Sequence, residues 1–224
     1  MKRVLPVLVA VPLLVTLLGG PLALAQDQEY ALKDYMPETV GSKWTMKTTN
    51  NQGDTTITYE VDKARDIGGQ QVTPILTKDA DGNLMRGSLE IVSDDNLTLL
   101  GSIFVPRGQQ AGGAPFDALY TPAAVFPGKM KVGQSEEAKV KTSRGGQEMD
   151  ITIKLELAAV ESVTVPKGTF DGCLKLVTTT SFGRGEMKRT AWYAKGVGIV
   201  KTESGGFGNR APRVAELTDY QLAE

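Results

Sequence analysis

Two stretches of this chain alternate strictly between apolar and polar residues, and that period of two decides what it can fold into. Ile57, Tyr59 and Val61 alternate with Thr56, Thr58, Glu60 and Asp62; Ile151, Ile153, Leu155 and Leu157 alternate with Thr152, Lys154 and Glu156. Successive side chains of a strand point to opposite faces, so each stretch offers one apolar face to a core and one polar face to water. That is the pattern of antiparallel sheets. Turn chemistry falls between such stretches: Asn50-Asn51-Gln52-Gly53-Asp54, Gly68-Gly69, Asp81-Gly82, Asp94-Asp95-Asn96, Gly145-Gly146, Gly183-Arg184-Gly185 and Gly205-Gly206. The spacing of strand and turn signals predicts about a dozen strands of roughly 5–12 residues in a mainly β fold.

Helix is scarce. Gln28 to Tyr35 has room for two turns before Pro37. Ala114 to Ala124 has room for a short helix, limited by Pro115 and Pro122. Arg107 to Ala114 is the most linker-like stretch, readable as a mobile loop over a cleft or as a solvated surface loop. A weak internal repeat at a separation of roughly 92–94 residues relates Pro37…Gly41…Ile57-x-Tyr59-x-Val61 to Pro127…Gly133…Ile151-x-Ile153-x-Leu155. That period is too long for a solenoid and fits one curved sheet built from two similar meanders, or common β patterning alone.

The N-terminus carries an export pattern. Met1-Lys2-Arg3 precedes an apolar run from Val4 to Leu18, and Ala23-Leu24-Ala25 forms a small-residue cleavage site before Gln26. The run is interrupted by Pro6 and Pro12 and is shorter than the ~20 residues a membrane span needs. The expectation is a signal peptide over 1–25 and a single β domain over 26–224. The mature chain is then exported, periplasmic or extracellular, with no stable membrane anchor after cleavage.

Composition excludes several chemistries. The chain has no histidine and one cysteine. A His-based triad, a His metal cage and an internal disulfide therefore have no residues to build them. A formal net charge of -1 gives no electrostatic footprint for nucleic acid. Cys173 opens the apolar run Leu174-Lys175-Leu176-Val177 and reads as a small buried hydrophobe, because a nucleophile needs an activating base or cation.

Other constellations resolve into turns. Lys78-Asp79-Ala80-Asp81-Gly82-Asn83 looks calcium-like, but its glycine comes one place too early and Ser88 stands where an EF-hand has its glutamate. Asp94-Asp95 and Glu136-Glu137 are adjacent acids, which point to opposite faces of a strand and cannot share a proton. No Ser-x-x-Lys and no Gly-x-Ser-x-Gly occurs. No catalytic, metal or cofactor-binding residue is assigned, and the chain is expected not to be an enzyme. The exception is a pair of carboxylates brought together from distant strands as in a glycosidase-type hydrolase.

Trp44, Trp192 and Tyr193 are the informative aromatics. In a curved sheet they line a ligand cavity; alternatively they are core side chains. Pro37-x-x-x-Gly41-x-x-Trp44, Val165-Pro166-Lys167-Gly168-Thr169-Phe170-x-x-Cys173 and Trp192-Tyr193-Ala194-Lys195-Gly196-Val197-Gly198-Ile199-Val200-Lys201 follow in that order. In these motifs the chain resembles uncharacterised exported bacterial proteins of the TapB-like kind, within the wider LolA/LolB-type half-barrel group. The resemblance implies a strongly curved antiparallel sheet with a concave apolar face, and relatives that carry acyl chains or lipoproteins across the periplasm. It departs from those carriers in having no long amphipathic helix to lid the cavity.

Two functions follow as expectations. One is a non-enzymatic binding module that holds a lipid, another apolar ligand or an acylated partner against Trp44, Tyr59, Ile153, Leu155, Trp192 and Tyr193. The other is a structural or interaction protein of the cell envelope with a filled core and sheet edges that pair with a partner. An interior void above about 300 Å³ separates the first from the second. Residues Gly196-Val197-Gly198 are expected at a bulge or sharp bend next to Trp192.

Overall fold

The computed structural model describes residues 28–50, 53–105, 116–144, 147–183, 185–205 and 212–224. The expected leader over 1–25 and the whole Arg107–Ala114 stretch lie outside them. The strands in chain order are β1 (Glu29–Ala31), β2 (Lys43–Asn50), β3 (Gly53–Val61), β4 (Arg65–Ile67), β5 (Gln70–Val72), β6 (Ile75–Asp79), β7 (Leu84–Val92) and β8 (Asn96–Phe104). They continue as β9 (Phe116–Pro127), β10 (Lys129–Lys131), β11 (Ser135–Arg144), β12 (Gln147–Val165), β13 (Gly168–Phe182), β14 (Gly185–Ala194), β15 (Gly198–Ser204) and β16 (Arg213–Gln221).

Twelve of these strands form a closed antiparallel barrel in the order β2-β3-β6-β7-β8-β9-β11-β12-β13-β14-β15-β16, with β16 returning to β2. The half-barrel that the resemblance implied is therefore corrected. The seam is the pairing of β9 with β11 through Thr121–Lys141 and Tyr120–Thr142. Closure follows from patterning and twist: a twisted sheet with one apolar face along every strand buries that face completely only by curling onto itself. The two hairpins of the weak sequence repeat, β2–β3 and β11–β12, lie six strands apart around the ring and so face each other across it.

Neither expected helix forms. Gln28–Tyr35 becomes β1, paired with β10, and a single 3₁₀ turn at Leu32–Asp34. The stretch ending at Ala124 becomes β9. Pro122 has no N–H to give to a ladder, and it sits where the β8–β9 pairing is interrupted between Leu99 and Gly101. The calcium-like stretch is the β6–β7 turn, in which the Asp79 carboxylate accepts from the backbone N–H of Asp81 and Asn83.

Three segments cover the barrel. Residues 29–42 strap one end. Leu32 N–H donates to Gly128 O, Gly196 N–H donates to Asp34 O, and Leu32 and Tyr35 are buried. The β4–β5 hairpin adds Val72 to a small cluster with Leu89 of β7 and Ile103 of β8. The long arm of β12 and β13 bends at irregularities by Ala159 and Val163 and reaches β16, where Lys167 N–H donates to Leu217 O.

The expected bend at Gly196-Val197-Gly198 is the β14–β15 turn, with a register shift at Trp192/Tyr193. Gly196 and Gly198 take φ of 68° and 100°, which favour glycine.

Candidate functional site

The barrel interior is not fully packed. One cavity of about 220 Å³ is walled by Trp44, Tyr59, Ile75, Thr77, Ser88 and Ile199, with Met36 and Pro37 of the strap at its end. A second, of about 160 Å³, is walled by Leu97, Leu99, Leu155, Leu176 and Ala191, with Met187 toward the opposite end. Met36, Glu90, Arg189 and Tyr193 line both, so the two spaces meet at one polar group. Neither reaches the ~300 Å³ of an ordinary small-ligand pocket, and their shared lining sets them side by side.

Each side chain is placed by strand phase. Trp44, Tyr59, Thr77 and Arg86 are successive cross-strand partners on β2, β3, β6 and β7. On β14, Met187, Arg189, Ala191 and Tyr193 share the inward face. Glu90 shares the inward phase of β7 with Arg86 and Ser88, while Leu89 turns outward to the β5 cover.

The central group is electrostatically unusual. Arg189 and Glu90 are half-buried, and both line the two cavities. Burial pushes the Glu90 carboxyl above its ordinary range despite the Arg189 charge and Ser88 beside it. Burial also raises the Tyr193 phenol, against the pull of Arg189. For Arg189 burial opposes the charge, but Tyr193, Tyr59 and Glu90 outweigh it and bind the proton more firmly. For Tyr59 burial is outweighed by the Arg189 and Arg86 charges, and the phenol titrates lower than usual. Among the described residues Arg189 makes no ion pair. Tyr59 is 6% exposed, and among the described residues its hydroxyl has no hydrogen-bond partner. Arg189 and Thr202 lie near that hydroxyl without reaching bonding geometry.

The six residues expected at a cavity separate. Trp44, Tyr59 and Tyr193 line the first space; Leu155 and Tyr193 line the second. Ile153 is buried in the wall cluster with Leu155 and lines neither. Trp192 faces the other way, because neighbours on a strand cannot both point inward and Tyr193 does. Its indole Nε1 donates to Glu161 Oε1 at 2.6 Å, and the ammonium groups of Lys175 and Lys201 stand 5.1 and 5.2 Å from the ring centre. Sequence reasoning missed Arg189 and Glu90. The available signal was Arg189 in phase with Ala191 and Tyr193, a charge on the apolar side of an alternating strand.

Cys173 is fully buried, and its thiol donates to Phe170 O at 3.3 Å. Burial pushes the thiol up to about 11. Among the described residues no group of three or more Cys, Asp or Glu residues is placed to hold a metal ion, and no helix is long and apolar enough to cross a membrane.

A family model described as DUF3108-like matches residues 39–206. Among solved structures the chain is similar to a candidate lipoprotein from Parabacteroides distasonis, at 19% identity over 83% of this chain and 97% of that one, with a TM-score of 0.46. It is similar to a candidate exported protein with YmcC-like fold from Bacteroides fragilis, at 17% identity over 84% of this chain and 99% of that one, with a TM-score of 0.48. No curated protein matches the chain.

Proposed function

The chain belongs to the DUF3108-like family, and on that premise we propose that it is an exported, non-catalytic binding module of the cell envelope that holds a small apolar-bodied ligand inside its barrel. The observation that carries this reading is the pair of interior cavities meeting at Arg189, Glu90 and Tyr193. A protein built only as a scaffold gains stability by filling such space, since each unfilled methyl-sized void costs about 1 kcal/mol. The charged n-region, apolar run and Ala23-Leu24-Ala25 site support export. The want of any histidine and the raised thiol of Cys173 weigh against nucleophilic catalysis.

The ligand class is a lipid or the acyl chain of a partner, because Leu97, Leu99, Leu155, Leu176, Met36, Met187 and Ala191 give the second cavity a largely apolar wall. Carriage in the manner of LolA-type proteins needs an entrance, and exposed Met187 and Arg86 mark where each cavity approaches solvent. The rival reading, a scaffold that recruits partners by strand pairing, is disfavoured by closure, which gives each of the twelve barrel strands a neighbour on both sides.

The test is to purify the protein from its native envelope and analyse co-purifying small molecules by mass spectrometry, beside an Ala191→Leu variant that narrows the second cavity. We expect a lipophilic species in stoichiometric amount that falls in the variant. Protein that emerges empty in both forms, and takes up no added lipid, overturns the reading.

A further inference from the structure

We propose that the barrel interior binds a monoanionic amphiphile, with its carboxylate against Arg189 and the Tyr59 hydroxyl and its alkyl chain along Leu97, Leu99, Leu155 and Leu176. This rests on the preceding reading and adds the chemistry of the headgroup.

Two structural features point to an anion, and the electrostatics of Glu90 agree with them. First, Arg189 is always charged, lies inside the barrel and, among the described residues, has no carboxylate at ion-pair distance. Glu90 and the phenols of Tyr59 and Tyr193 support its charge only from beyond that distance, and an anionic ligand supplies the direct contact that is missing. Second, the Tyr59 hydroxyl is buried in the wall of the same space and, among the described residues, has no partner. A buried hydroxyl without a partner is a rare defect in a folded protein, and an incoming acceptor atom removes it. The nearest interior acid cannot serve fully as the counter-ion, because burial disfavours its ionised form.

The number of charges is set by the same residues. Arg189 is the guanidinium shared by both cavities, and with one phenol it matches a carboxylate, whose two oxygens accept from a guanidinium fork. Arg86 lines the first cavity alone and is exposed, so its charge is met by solvent. Arg189 is common to both cavities, so a headgroup held there has the leucine-lined space open to its tail.

The proposal is tested by titration calorimetry of the full chain, stripped of lipid, with laurate, dodecanol, acetate and dodecyl phosphate. Laurate is expected to bind at least tenfold more tightly than dodecanol and more tightly than dodecyl phosphate, with acetate giving no measurable heat. Arg189→Gln is expected to weaken laurate at least tenfold and leave dodecanol unchanged, and Tyr59→Phe to weaken laurate about threefold. Should Arg189→Gln fail to fold, Glu90→Gln gives the complementary reading: removing the neighbouring acid should tighten laurate about threefold and leave dodecanol alone. Laurate and dodecanol binding equally, each indifferent to these changes, overturns the headgroup assignment while the apolar binding reading stands. Tighter binding of dodecyl phosphate than laurate also overturns the carboxylate. Binding of none of the four overturns both.

Discussion

The bare Cα of Gly198 is packed against the indole of Trp44. A Cβ placed on Gly198 would stand 2.8 Å from Trp44 Cζ2, and the same indole donates from Nε1 to Val197 O at 2.7 Å. The β14–β15 turn and the start of β2 are thus fastened together at the strapped end of the barrel, and Trp44 forms one wall of the larger cavity.

Gly198→Val should therefore destabilise the protein in two ways. It forces a β-branched residue to φ of 100°, and it pushes the indole out of place. Together these cost about 1–3 kcal/mol, or roughly 2–12 °C in melting temperature for a domain of this size. Lys195→Ala in the same turn removes only an exposed ion pair with Asp34 at 3.1 Å, worth about 0–1 kcal/mol. Thermal melts of the two variants should differ clearly. Equal, negligible shifts would mean that the glycine does not shape this corner.

Cys173 should behave as packing. Its thiol is buried and titrates near 11, so at pH 8 about one molecule in a thousand carries the reactive thiolate. Folded protein should react with a disulfide reagent orders of magnitude more slowly than protein in denaturant. Cys173→Ala should cost about 1 kcal/mol of stability and leave lipid uptake unchanged. Rapid labelling of the native form would reopen a reactive role.

How far the sequence revealed this arrangement depended on whether its strands were covered on one face or two. The alternation of Ile57–Val61 and Ile151–Leu157 survives because the outer faces of those stretches meet water, and these strands were legible. The β7 sequence Leu89-Glu90-Ile91 was not. Leu89 is buried against Val72 on the outside while Glu90 faces the inside, so the apolar signal marks the wrong face. Trp192 misled for the same reason: the arm carrying Glu161 covers it from outside. Barrel closure has no local signature, since it depends on a short pairing between β9 and β11 that neither strand's own pattern announces. The central charge at Arg189 needed the phase of β14, which the neighbouring Lys188 obscures.

Trp192→Phe tests that outside placement. The change deletes the bond to Glu161, a charge-assisted contact worth about 1.5–3 kcal/mol, while keeping a ring between Lys175 and Lys201. The denaturation midpoint should fall, and laurate affinity should stay within a factor of two. A loss of affinity with stability intact would place the indole in the binding site after all.

Glu38 makes the stability of the strapped end depend on pH. Its carboxylate oxygen Oε1 accepts from Val92 N–H at 3.1 Å, and the group is half-buried. Burial is the main cause that lifts it from 4.5 to about 7; the Val92 bond opposes the shift and nearby Glu90 adds to it. The folded state therefore holds this proton more tightly than the unfolded chain does. The contribution to stability is complete below about pH 4.5, declines as pH rises, and is gone above about pH 7. Its size is of order 2 kcal/mol after allowing for the partial exposure of the group. Glu90, raised in the same direction, adds to the same slope. Glu38→Gln keeps an acceptor for Val92 N–H and removes the charge, so the variant should be more stable than the parent at pH 8 and nearly equal to it at pH 4.5. Urea midpoints measured from pH 4.5 to 8 should show a shallower decline in the variant, with the remainder belonging to Glu90. Superimposable curves for the two proteins would show that Glu38 titrates as an ordinary surface acid.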